Sequence, residues 1–109
     1  PLVSPSVFEE YVGPHYKKIT DLLKTHGLDI VSLDCDGCID ALIPVWLKNG
    51  VNTMFPIEVG TWNASIAPWR EKYGKQIRGV GGMNKTVFAD AKWELVQYYC
   101  EKMRKTFGG

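Results

Sequence analysis

Cysteine is scarce in this chain, with three residues in 109, an odd number. Three thiols cannot build the disulfide scaffold of a small secreted domain, so a reducing compartment, the cytoplasm, is expected. Charge of one sign is missing too. Thirteen Lys and Arg face twelve Asp and Glu, a formal net charge of +1. That balance leaves no basic footprint for nucleic acid and no polybasic patch for a membrane surface. No run approaches ~18 apolar residues, so no membrane span is expected. The opening Pro1-Leu2-Val3-Ser4-Pro5 lacks an initiator Met and a signal-peptide pattern. The Phe107-Gly108-Gly109 end follows directly on a helix-like stretch. Both ends read as cut from something longer. Low-complexity segments and close internal repeats are absent.

What is present is ample core material: four Trp, five Tyr, four Phe and 45% apolar residues in a length that suits one domain. The expected elements alternate. Pro5 to Lys24 reads as a helix from the spacing of Phe8, Tyr11, Ile19, Leu22 and Leu23, with a kink or split at Pro14 and a stop at Gly27. Asp29 to Asp34 reads as a buried parallel strand, and Cys35-Asp36-Gly37-Cys38 as a turn. A helix is expected over Ile39 to Lys48, a strand over Val51 to Glu58, and a helix from Gly60 to Tyr73. Lys75 to Val80 should be a third strand, and Asn84 to Phe107 helical in two pieces around Ala89-Asp90. The order α-β-α-β-α-β-α implies parallel strands with right-handed crossovers. The helix–Gly–strand unit recurs at roughly 25 residues, the size of one barrel unit. With every helix on one face, the other sheet face would be bare and would invite association, so a homo-oligomer is expected.

The strand ends collect the polar groups: Asp34 and Asp36 after the first strand, Glu58 after the second, and Gly81, Gly82, Asn84 and Lys85 after the third. Parallel α/β folds build their sites at this edge. Such carboxylates with one Lys can hold a cation or do acid–base work. The plainer reading has Asp34 or Asp36 capping the next helix and Glu58 pairing with Lys85. Cys35 and Cys38 form a C-x-x-C between strand and helix, where thioredoxin-like folds carry a redox pair. Asp36 between them would raise a thiol pKa, and only Cys100, His15 and His26 remain to complete a zinc site. The expected reading is therefore small, half-buried side chains. His26 suits the negative end of the first helix dipole. Gly79-Val80-Gly81-Gly82 resembles a phosphate-binding turn without the dinucleotide or P-loop pattern. Trp46, Trp62, Trp69 and Trp93 read as core or interface.

Together these motifs resemble the uroporphyrinogen decarboxylase superfamily. The run Pro5-Ser6-Val7-Phe8-Glu9-Glu10-Tyr11-Val12-Gly13-Pro14-His15-Tyr16-Lys17-Lys18-Ile19 is similar to its "Pro-x-x-Phe-x-x-Phe-x-x-Pro-x-Tyr-(Lys)-x-Ile" signature. Pro56-Ile57-Glu58, Lys72-Tyr73-Gly74-Lys75 and Gly81-Gly82-Met83-Asn84-Lys85 follow in the family's order. The resemblance implies a (β/α)8 TIM barrel of which this chain is the C-terminal third. It implies a lyase, with cofactor-free decarboxylation of a tetrapyrrole or related small-molecule acid in the longer parent and an inactive fragment here. Asp36, Glu58 and Lys85 would be the catalytic groups, with Asp34, Gly81, Gly82 and Asn84 binding substrate. A second branch of the family transfers methyl groups with zinc and a corrinoid partner. It ligates zinc with a His-x-Cys pair, where this chain has Asp34, Cys35 and Asp36, a harder donor set. A non-catalytic, self-associating α/β protein is the third expectation.

Overall fold

The computed structural model describes residues 2–87 and 93–108. Helix α1 (Pro5–Val7) runs through a π-helical stretch (Phe8–Val12) into α2 (Gly13–Thr25). The expected kink at Pro14 is absorbed by that stretch. Pro14 has no N–H and its ring crowds the carbonyl four residues back. The turn widens just before it, with the Gly13 N–H donating to Phe8 O. After α2 come β1 (Ser32–Asp34), α3 (Ile43–Lys48), β2 (Thr53–Ile57), α4 (Val59–Trp62) and α5 (Ile66–Tyr73). A short 3₁₀ turn (Gly74–Gln76), β3 (Arg78–Gly81) and α6 (Trp93–Phe107) complete the described elements. The break expected at Ala89-Asp90 lies outside the described residues.

The three strands form one parallel sheet in the order β1-β2-β3. Mixed α/β architecture with helices between parallel strands is thus as expected, but several elements are shorter. The Asn52 side chain accepts the Val31 N–H at 3.0 Å and donates to Asp29 O at 2.6 Å. A side chain replaces a backbone partner there, so β1 begins at Ser32 and not at Asp29. Helix α3 starts at Ile43 and not at Ile39, because Pro44 fits only a first turn. The single helix expected from Gly60 to Tyr73 is two, separated by Asn63 in the left-handed region at φ 51°. Pro68 again falls within the first turn of the later one. Pro56 in the central strand cannot donate to the ladder, and the β2–β3 register shifts between Met54 and Ile57.

One sheet face is covered and one is bare. Leu33, Met54 and Gly79 share a register position on the covered face, where Met54 is 0% exposed. Ile39, Leu42, Ile43, Trp46, Ile57, Ile66, Trp69 and Ile77 build the core against it. The alternate residues face away: Ile30 is 68%, Phe55 40% and Val80 49% exposed, with Ser32 and Asp34 beside them. Thr53, flanked by Ser32 and Arg78, is the buried exception. Trp46 and Trp69 are core as expected, whereas Trp62 and Trp93 are exposed. Among the described residues, no helix is long and apolar enough to cross a membrane.

Candidate functional site

Parallel pairing sends all three strands out at one edge, and the polar groups collect there. Asp34 ends β1 and Gly81 ends β3, while Glu58 follows β2. The ladder continues one residue past β1, with the Cys35 N–H donating to Phe55 O at 2.8 Å. That bond fixes the start of the Asp36-Gly37 turn. Gly37 lies at φ 99°, a conformation that L side chains rarely adopt. Its N–H donates to Glu58 Oε2 at 2.7 Å. A charge-assisted bond of this length ties the first strand-end loop to the second. Asp34 and Asp36 are exposed beside it. This edge therefore presents carboxylates to solvent, one of them held in place by a backbone amide.

The plainer readings of these acids do not hold. Neither Asp34 nor Asp36 caps α3, whose N-cap residue Leu42 makes no side-chain bond to the helix. Glu58 forms no ion pair with Lys85; among the described residues the ion pairs are Lys17–Asp21, Lys48–Glu9 and Arg78–Asp29. Lys85 is exposed. Asn84 caps the turn that follows, accepting from the Thr86 N–H at 3.1 Å and the Thr86 hydroxyl at 2.9 Å. Its amide lies close to Gly60, where a Cβ would meet Oδ1 at 2.6 Å. Asn84 thus brings the β3 loop against the start of α4.

The glycine loop is used mainly for packing. The Gly82 N–H donates to Ile57 O at 3.3 Å, and a Cβ on Gly81 would lie 3.1 Å from the Ile57 nitrogen. The Thr86 amide is engaged as well, by Asn84 Oδ1, so two of the loop's N–H groups are turned inward.

Both thiols of the C-x-x-C are free. Cys35 is half-buried against the core, and its Sγ lies 3.6 Å from Asp36 O. Burial pushes the Cys35 thiol up, and the Asp36 and Asp34 carboxylates act in the same direction. Cys38 is exposed, with Sγ 3.6 Å from Asp40 Oδ2. The two sulfurs turn to different oxygens. Among the described residues, no three His, Cys, Asp or Glu side chains converge on a point that would hold a metal ion. This donor set does not fit a zinc–thiolate centre.

Two contacts escape a reading of the sequence. Trp69 Nε1 donates to Asp40 Oδ1 at 2.8 Å, joining the loop after β1 to α5 across 29 residues. At the opposite sheet edge, Arg78 donates to Asp29 O and Oδ2 at 2.9 and 2.7 Å. Neither pair has a local spacing that marks it. A cleft of about 380 Å³ opens at that opposite edge, lined in part by Lys17, Lys48 and Arg78. Each of these three is paired with an acid, while Lys24, which also lines the cleft, is in none of those ion pairs. His26 caps α2 and contacts Leu22 O through Nδ1 at 2.9 Å, the structural role its position suggests. Compared with protein-family models, curated proteins and solved structures, the chain finds no match.

Proposed function

We propose that this chain supplies three consecutive strands of a uroporphyrinogen decarboxylase-like (β/α)8 barrel, and that its carboxylate edge forms part of the substrate pocket. The observation that carries the reading is Glu58 at 2.7 Å from the Gly37 amide, at the carboxyl ends of parallel strands. A barrel places its chemistry at that end. The bare face with Ile30, Phe55 and Val80 would become barrel interior.

In a decarboxylation, the carboxyl carbon leaves as carbon dioxide and the carbon it leaves takes a proton. Asp36 and Glu58 are the proton-handling groups in this reading and accept hydrogen bonds from pyrrole-like N–H donors. Glu58 keeps its second oxygen for that task while Gly37 holds the first. Lys85, exposed and outside any ion pair among the described residues, pairs with a substrate carboxylate. Asp34 and Asn84 border the site, and Gly81 and Gly82 set the loop that carries Asn84 and Lys85.

The test is carbon dioxide release from a porphyrinogen polycarboxylate by the polypeptide that carries this segment. Glu58→Gln and Lys85→Ala should each lower turnover by ~10²-fold or more. Unchanged turnover in both variants, or none in the parent, would overturn the assignment. Stoichiometric zinc in that polypeptide would favour methyl transfer, although Cys35 and Cys38 are not gathered as its ligands. The bare face favours self-association as the non-catalytic reading.

A further inference from the structure

Two thiols flank the Gly37 amide that holds the Glu58 carboxylate. Cys35 is anchored: its N–H is bound to Phe55 O, and its side chain packs with the core on the helix-covered face. Cys38 lies across the Gly37 turn, exposed and outside any helix. The next residue, Ile39, is buried in the same core that Cys35 touches. Both thiols therefore lie along the path from β1 into the helix layer, one half-buried and one exposed. A disulfide needs Cα atoms about 4.4–6.8 Å apart. A four-residue turn brings its ends within ~7 Å, and the chain bends between the two cysteines at Gly37, φ 99°.

We propose that Cys35 and Cys38 form a reversible disulfide that switches Glu58. In the dithiol state, the Gly37 N–H holds the carboxylate. Closing the ring pulls Cys38 toward the anchored Cys35, turns the Gly37 amide between them away, and frees Glu58. The oxidant is a small disulfide of the glutathione class. The exposed Cys38 thiolate attacks one sulfur of the oxidant, forming a mixed disulfide and expelling one thiolate. Cys35 then gives its proton to water and attacks the Cys38 sulfur, expelling the second thiolate. Two protein thiols are oxidised and one small disulfide is reduced to two thiols. Burial of Cys35 sets this order, because the thiol it keeps protonated is the slower nucleophile. The switch stands on the thiols and the Gly37–Glu58 bond, whichever reaction Glu58 serves, and is read without turnover.

The full chain is treated with oxidised glutathione, its free thiols are counted and its peptides mapped. Three free thiols should fall to one, with a bridge mapping to Cys35 and Cys38. The Gly37 amide resonance should move, and dithiothreitol should return it. Cys100→Ser should leave this shift intact and Cys38→Ser should abolish it. Reduced Glu58→Gln should already show a displaced Gly37 amide. A stable glutathione adduct without ring closure would overturn the proposal. So would a bridge that uses Cys100, or a Cys35–Cys38 bridge that leaves the Gly37 amide unmoved.

Discussion

Single residues decide how closely this fold can pack. Gly50 sits at φ 87°, and a Cβ there would lie 2.3 Å from Thr20 Oγ1. That hydroxyl donates to Asn49 O at 2.8 Å in a buried contact between α2 and the end of α3. Gly50→Ala should therefore cost about 2 kcal/mol or more, from left-handed strain and a displaced buried hydrogen bond. Urea unfolding of the pair of proteins measures it. Cys35 makes a prediction about pH. Its thiol is held above its ordinary value of 9.0, chiefly by burial. The protonated form is then favoured by folding. The contribution is complete below that ordinary value and is lost as pH rises through the folded-state one. Stability should thus fall more steeply above about pH 9 in the parent chain than in Cys35→Ala. A parallel decline in both would show that Cys35 is not responsible. The sequence made Asp34, Asp36 and Glu58 visible as strand-end acids. It did not show that Glu58 binds an amide in preference to Lys85, since Gly37 lies 21 residues away.

At the scale of elements, proline sets the helix starts. Pro5, Pro44 and Pro68 each lie in the first turn of a helix, where the missing N–H has no intrahelical partner to lose, whereas Pro14 lies inside a continuous run and needs the π-helical stretch before it. Apolar periodicity alone runs α3 back to Ile39 and fuses α4 with α5, because Ile39, Leu42 and Val59 do face the core. Backbone donors, not side-chain faces, set those limits. Helix α5 also depends on its cap: Ser65 Oγ accepts the Ala67 N–H at 3.4 Å. The bond is long, so Ser65→Ala should cost about 0.5–1 kcal/mol, at the lower end for an N-cap. A thermal melt showing no loss would mean that water serves that amide equally well.

The whole molecule is more open than its length requires. Its radius of gyration is 15.2 Å, against about 13 Å for a compact chain of this size. Its accessible surface is 7299 Å², against roughly 6,100 Å² for a folded monomer of its mass. The excess fits a sheet covered on one face only. The uncovered face predicts concentration-dependent association of this chain by itself, with Phe55→Lys shifting it towards monomer. Sedimentation velocity over a range of concentrations measures both; a single monomeric species throughout would contradict the expectation. Alternation of short apolar runs, glycines and helical periodicity was enough to read the α/β class, the element order and the edge where the acids gather. Those features follow from local propensity and from the geometry of parallel connections. Tertiary structure alone decided which acid meets which donor, where Asn52 and Arg78 tie the strand starts, and that the carboxylate at Glu58 is held between two thiols' turn and the sheet. Those contacts join residues 21 to 49 positions apart. Folding brings them together through burial of a shared core, and no local spacing in the chain records such a meeting.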